Sequence, residues 1–287
     1  MYGGQIYTAG ATGFIGSYIV AAALSFGYRV RGTVRSDGKA AVSHKTHGNN
    51  LKYTTAVVPD VAAPSAFDGA SKDVHGVVHV ASNMSFNNDP AKVIPGVKRA
   101  TLIDQGLNTP ADKRDDDPRF GQIVYAAAKT EEERAAWTFV RDQKPGFGFN
   151  SVLPNYNAGR VLPGVPRGPS GQGITNVYQG NPDMGFPAQW MINVEDDAKI
   201  HIACLADKTV NGERVLQFTH PFNWNDVLAV IRQLRPQAKT IEDIKGQQRD
   251  WSTVDNERGA ELLRKLWGQD GHRTFEESVR NNLELME

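Results

Sequence analysis

The chain has 287 residues, 40% hydrophobic and 22% charged, a globular composition with enough core for one large domain or two unequal ones. Lysine plus arginine and aspartate plus glutamate both number 32, so the formal net charge is zero, which argues against nucleic acid or an anionic membrane as the main partner. The single cysteine, Cys204, has no partner for an internal disulfide, and the early apolar run Ile19 to Leu24 is too short to cross a bilayer and follows no basic leader. The expectation is a cytoplasmic protein.

In chain order, Gln5 to Ala9 reads as a first strand and Phe14 to Phe26 as an apolar helix. Tyr28 to Arg35 alternates at period two and is rich in β-branched residues, which predicts a second strand. Ser36 to His47 is polar and partly helical, and Leu51 to Val58 makes a third strand closed by Pro59-Asp60. Gly76 to Ala81 reads as a short buried strand ending at Ser82. Strands alternating with helices imply a parallel, doubly wound sheet with right-handed crossovers. Downstream, the pattern predicts a helix over Tyr125 to Arg141 and a strand over Phe149 to Leu153, ended by Pro154-Asn155. Gly159 to Pro187, rich in glycine and proline, reads as an irregular substrate-side region. A helix (Glu195 to Ala206), a strand (Glu213 to Thr219) and a helix (Trp224 to Leu234) follow, and amphipathic helices over Ser252 to Gly268 and Phe275 to Met286 close the chain. The expected division is 1–158 for the sheet domain and 159–287 for a mainly substrate-binding part.

The richest stretch is Thr8-Ala9-Gly10-Ala11-Thr12-Gly13-Phe14-Ile15-Gly16, directly after the first strand. A strand that turns through glycines into a helix start cradles a pyrophosphate. The first glycine permits the tight turn, the second admits phosphate oxygens to the backbone, and the third lets helix and strand pack closely. The second strand should then meet the adenosine ribose. It ends Val34-Arg35-Ser36, with Lys39 close behind, and Arg35 offers a planar cation for a 2′-phosphate where an acid would select NAD. This pattern favours NADP. Asp60 and Val61 follow the third strand and Ala81 and Ser82 the fourth, at the carboxyl ends where ligands sit in open α/β sheets.

Tyr125 and Lys129 are four apart on a helix, so both project from one face. A neighbouring lysine lowers a phenol's pKa, and the tyrosine can donate its proton to a carbonyl oxygen as hydride reaches the carbon.

Gly10-Ala11-Thr12-Gly13-Phe14-Ile15-Gly16, Val30 to Arg35, His79-Val80-Ala81-Ser82, Asp89-Pro90 with Val93-Ile94-Pro95, and Tyr125-Ala126-Ala127-Ala128-Lys129 together resemble the extended short-chain dehydrogenase/reductases. The branch most similar is that of the dihydroflavonol 4-reductase-like, NADP-dependent aldehyde and ketone reductases. The resemblance covers nearly the whole chain. It implies a Rossmann domain with a small C-terminal substrate-binding part, Tyr125 as proton donor, Lys129 as ribose holder, and Pro154-Asn155 beside the nicotinamide.

The chain departs from that pattern in one place. The family carries a carbonyl-binding serine or threonine on a further central strand, but between Asn83 and Val124 the sequence offers only a helix, Ala91 to Leu107, and then the polar, proline-broken run Asn108 to Pro118. The expectation is therefore a sheet without one central strand. Thr101 and Thr109 read as ordinary helix and loop residues, while Ser82 and Asn83 are better placed to approach a carbonyl. Three readings follow: an NADP-dependent reductase of a small or medium ketone or aldehyde; an NADP-binding regulator or inactive relative; and an enzyme like the nucleotide-sugar epimerases. Elsewhere, His79 reads as a core histidine, His201 and Cys204 do not form a metal site, Trp190-Met191 read as packing, and Asp196-Asp197 as a helix start.

Overall fold

The computed structural model describes residues 3–61, 63–82, 120–182, 184–284 and 286. Its first four strands, β1 (Gln5–Ala9), β2 (Arg29–Val34), β3 (Tyr53–Val57) and β4 (Gly76–His79), form one sheet in the order β3-β2-β1-β4. Every pairing is parallel, with Ile6 opposite Val30 and Gly76, and Val30 opposite Tyr53. The order reverses at β1, which places a crevice at the carboxyl ends of β1 and β4. Helix α1 (Phe14–Ser25) follows β1, and α2 (Asp37–Thr46) follows β2. The doubly wound arrangement expected from the alternating pattern is the one found.

The later elements are α3 (Phe120–Gln143), β5 (Ser151–Pro154), β6 (Tyr156–Ala158), α4 (Pro169–Tyr178), β7 (Gln189–Asn193), α5 (Val194–Ala206), β8 (Arg214–Gln217), β9 (His220–Phe222), α6 (Trp224–Leu234), α7 (Glu257–Trp267) and α8 (Phe275–Leu283). Strand β5 pairs with β8. Strand β7 is flanked by parallel β6 and antiparallel β9. By compactness the chain divides into 1–81 with 152–287, and 82–151.

In the larger unit, Val194, Ala198, Ile202 and Ala206 recur every fourth residue along α5 and make one buried stripe. That stripe belongs to the same core as Phe14, Tyr18, Ile19 and Ala23 of α1, beneath β1 and β2. A second core joins Tyr156, Ile174, Met191, Phe222, Trp224, Leu228 and Val279. In the smaller unit, Phe120, Val124, Ala127 and Ala128 form the buried face of α3.

The structure corrects five expectations. The span Gly76–Ala81 is not uniformly buried: β4 buries Val78 and turns Val77 and His79 outward, following the two-residue alternation of a pleated strand. His79 is therefore exposed, edge-on to Phe67, rather than a core histidine. The span Gly159–Pro187 is not irregular throughout, because α4 starts there on Gly168 with Pro169 at its first turn. Three short strands, β6, β7 and β9, arise where none was expected; in β7, Met191 is fully buried and Trp190 donates from Nε1 to Ser252 Oγ at 3.2 Å. The span Ser252–Gly268 is helical only from Glu257, ending on Gly268 in the left-handed region. Residues 83–119, including Asn83, Asp89, Pro90, Val93, Ile94, Pro95, Thr101, Thr109 and the expected helix, lie outside those described. Among the described residues, no helix is long and apolar enough to cross a membrane.

Candidate active site

The turn after β1 is built by its glycines. Gly10 has φ +86°, and a Cβ there would stand 2.8 Å from the backbone nitrogen of Ala81, so both conformation and space exclude a side chain. A Cβ on Gly16 would fall 2.1 Å from the Gly10 carbonyl oxygen, which is why the helix can start so close to the strand. The Gly13 N–H donates to Gly10 O at 3.0 Å and closes the turn. Gly13 also caps α1 and has no side chain, so no side-chain acceptor occupies the helix end. The backbone around Phe14 and Ile15 thus opens α1 with the positive end of its dipole toward the turn. The Gly10 N–H donates to Thr33 Oγ1 at 3.1 Å, and that hydroxyl donates to Thr8 O at 3.3 Å, tying the turn to β2. Thr33 drew no attention in the sequence because it sits within an ordinary β-branched run.

The carboxyl ends of the four parallel strands bring the expected adenosine-side residues to one edge. Arg35 leaves β2 exposed, and Ser36 then caps α2. Val58 N–H donates to Val34 O at 2.8 Å, so Asp60 and Val61 leave β3 at the same edge, both exposed. Ala81 leaves β4 against Gly10. A shallow depression beside the turn is lined by Ala11, Thr12, Ser17, Lys39, Ser43 and His47. Lys39, Ser43 and His47 are four residues apart, a spacing that could have flagged them as one face of α2. Burial, and then the neighbouring His44, holds the His47 imidazole down at about 4, so it is neutral near pH 7. Pro154 ends β5 and Asn155 lies between β5 and β6, both half-buried, in sheets separate from the first.

The smaller unit carries Tyr125, Lys129 and Ser82. Tyr125 lies half-buried on α3, beside the stripe of Val124 and Ala128. Its phenol is raised above the ordinary value because burial outweighs Lys129 and a hydrogen bond from Ser82, both of which act in the opposite direction. The expectation that lysine depresses this phenol is therefore right for the lysine's own effect and wrong for the balance. Lys129 is exposed and its ammonium pairs with Glu132 Oε2 at 2.5 Å, where solvent weakens its reach. Ser82 is exposed.

The other polar residues behave as structural groups. Asp196 is buried in the first turn of α5 and accepts from Arg273 N at 2.6 Å and Gln269 Nε2 at 2.8 Å. His201 Nδ1 meets the Asp197 carbonyl at 2.8 Å, and Cys204 is a buried thiol that burial pushes up to about 12. Among the described residues, no cluster of histidine, cysteine and acids could hold a metal ion.

A parallel sheet in the order 3-2-1-4, with a glycine turn feeding an uncapped helix at the reversal point, defines a dinucleotide-binding Rossmann protein. Residues 6–94 match the NAD dependent epimerase/dehydratase family. The chain is 33% identical to the NAD-dependent epimerase/dehydratase terH of Aspergillus terreus, over 98% of this chain and 96% of that one. It is 31% identical to aldehyde reductase 2 of Sporidiobolus salmonicolor, over 97% and 95%. The yeast methylglyoxal/isovaleraldehyde reductase Gre2, solved with NADPH, superposes with a TM-score of 0.77 at 23% identity, covering 97% and 96% of the two chains, a likeness of fold. The chain belongs to the NAD dependent epimerase/dehydratase family, the extended short-chain dehydrogenases/reductases. The alignment with terH runs over 330 positions whereas this chain has 287 residues, so the relative carries segments with no counterpart here.

Proposed function

We propose that the protein is an NADP-dependent reductase of a ketone or aldehyde of small to medium size, with Tyr125 as the proton donor. The observation that carries this reading is the pairing of the Gly10–Gly16 turn with an exposed Arg35 at the end of β2, a cation where an acid would select NAD. Aldehyde reductase 2, and the ketoreductases nvfG of Aspergillus novofumigatus and adrE of Penicillium roqueforti, at 29% identity, lend support through the activities in their names.

The dinucleotide fits the chain's own features: a cradle that a Cβ at Gly10 would fill, and a helix end without a side-chain cap. Backbone N–H groups over Gly13, Phe14, Ile15 and Gly16 would hold the pyrophosphate. Arg35, with Lys39 behind it, would hold the 2′-phosphate. Asp60 and Val61 would border the adenine, Ala81 and Ser82 the path toward the nicotinamide, and Pro154 and Asn155 the nicotinamide itself. Lys129 would hold the adjoining ribose by exchanging Glu132 for its hydroxyls. When bound, NADPH supplies the hydride. Tyr125 Oη gives its proton to the carbonyl oxygen as that oxygen gains charge, and the resulting phenolate is reprotonated from solvent. A phenol held above its ordinary value stays protonated at neutral pH, the state a proton donor needs.

Following NADPH absorbance against a panel of aldehydes and ketones tests the reading. NADPH is consumed by the wild type, and Tyr125→Phe lowers kcat by about 10²–10⁴ while NADPH still binds. Undiminished turnover in Tyr125→Phe would overturn the mechanism. The sequence between Asn83 and Val124 motivates a second reading, a binder without turnover; NADPH binding with silence across the whole panel would favour it.

A further inference from the structure

On the reading of Arg35 and Lys39 as holders of the 2′-phosphate, we infer that Ser43 and Tyr53 are positioning residues for that phosphate. Their buried hydroxyl pair docks α2 on the sheet and so sets the preference for NADPH over NADH.

A surface helix ordinarily docks by an apolar stripe. Helix α1 does so, with Phe14, Tyr18, Ile19, Val20 and Ala23 all buried. Helix α2 has no such stripe: of its ten residues, Ser43 alone is buried. Ala41 and Val42 are exposed. Polar contacts therefore decide where α2 sits. Ser43 Oγ and the Tyr53 hydroxyl of β3 stand 2.7 Å apart and share a hydrogen bond. His44 Nε2 meets Thr55 Oγ1 at 3.3 Å, and Thr46 Oγ1 donates to Pro163 O at 2.8 Å. The first of these is out of the water, with Ser43 3% and Tyr53 2% exposed. A hydrogen bond in such surroundings is strengthened, and removing one partner leaves the other buried without it.

Tyr53 is itself tied to the glycine turn. A Cβ on Gly32 would fall 2.5 Å from the Tyr53 oxygen and 2.6 Å from the Ala11 Cβ, so both press on the same spot of β2. On its other sides the phenol ring meets His44 at 5.1 Å and His47, edge-on, at 5.0 Å. Burial keeps the phenol above its ordinary value, so its proton stays in place near neutrality. Lys39 lies one turn before Ser43 on the same face of α2, and Thr12, Lys39, Ser43 and His47 border the same depression. Arg35 directly precedes the cap Ser36, whose Oγ accepts from Lys39 N at 3.4 Å. The pyrophosphate and the 2′-phosphate belong to one nucleotide, so their two cradles need a fixed spacing, and a preformed one favours binding. The line from Ala11 through Tyr53 and Ser43 to Lys39 supplies it. NADH places no phosphate against α2 and does not need that line.

The test compares wild type, Tyr53→Phe, Ser43→Ala, the double variant, Ser43→Thr and Arg35→Ala, each as the full chain. The readouts are NADPH and NADH affinity by calorimetry, and amide hydrogen exchange over 37–46 without nucleotide. Without the hydroxyl pair α2 is docked for only part of the time, and NADPH must select that fraction. Tyr53→Phe and Ser43→Ala should each weaken NADPH by about tenfold, one hydrogen bond's worth, and leave NADH within about twofold. The double variant should be no weaker than either single one, because all three lose the same bond. Exchange should quicken over 37–46 and not over 14–25. Ser43→Thr, which keeps the hydroxyl, should stay near wild type in both readouts. Unchanged NADPH affinity in Tyr53→Phe and Ser43→Ala overturns the inference, even if α2 exchanges faster. So does equal weakening of both nucleotides, or a double variant showing the two losses multiplied. Wild type that takes NADH as tightly as NADPH, or Arg35→Ala that weakens both alike, defeats the parent reading and this inference with it. Failure of the inference alone leaves the NADPH preference of wild type and the selective loss in Arg35→Ala intact.

Discussion

Arg35 leaves β2 exposed, and among the described residues it makes no hydrogen bond or ion pair. An arginine with nothing to hold in the protein can be removed at little structural cost, within about 0.5 kcal/mol for such a surface position. Arg35→Ala should therefore leave the urea midpoint unchanged. It should weaken NADPH by about 10–100-fold, the value of a charge-assisted hydrogen bond to a phosphate, and leave NADH affinity where it was. Calorimetric titration of both nucleotides checks this, and equal weakening of both would remove the 2′-phosphate role. At this scale the sequence is a good guide wherever backbone geometry forces a residue type. Gly10 and Gly16 are legible because a side chain cannot fit there. The state of Tyr125 is less so. A lysine four residues on signals a lowered phenol, but burial belongs to the folded chain and outweighs it.

Elements show the same division between local and tertiary causes. Strands β1 to β3 and helix α1 read directly because alternation or apolar runs are strong there. Helix α4 does not, because glycine and proline, which mark loops in sequence, have other uses in it. Pro169 starts the helix, and Gly173 admits neighbours: a Cβ there would fall 2.5 Å from the Met184 carbonyl oxygen and 2.7 Å from the Trp224 ring. This reverses a familiar expectation. Glycine to alanine inside a helix ordinarily gains up to about 1 kcal/mol from propensity. Here the added methyl meets a backbone oxygen and a fully buried indole, so Gly173→Ala should destabilise by about 1–3 kcal/mol, the range for overpacking a core. Urea unfolding gives the sign, and a raised midpoint would show that α4 can shift away from Met184. Strands β7 and β9 escape a sequence reading for a related reason: Gln189–Asn193 and His220–Phe222 are too short to show a period and gain their strand character from pairing with each other.

At the scale of the molecule, charge fastens the C-terminal helices to α5 and its continuation, and that fastening carries a pH signature. Asp207 ends α5 and accepts from Lys265 Nζ of α7 at 2.6 Å, while its other oxygen accepts from the Thr209 N–H at 3.0 Å and hydroxyl at 2.8 Å. The lysine, and then the Thr209 donors, hold its carboxyl at about 2, below the ordinary aspartate value of 3.8. No sequence pattern pairs residues 58 apart, so this tie becomes visible only once α5 and α7 are packed together. A group depressed in the folded state binds its proton more readily when unfolded, so its stabilisation is complete above the unfolded value and disappears as pH falls through the folded one. The stability difference between wild type and Asp207→Asn should be constant near neutrality, begin to shrink below about pH 4, and level off near about pH 2. Paired urea titrations at several pH values measure that difference directly, and the other carboxylates, common to both proteins, cancel from it. A gap that stayed constant down to about pH 2 would mean that Asp207 acts by packing alone. A gap that closes over that window would identify the Asp207–Lys265 contact as one of the charges that join the C-terminal helices to α5.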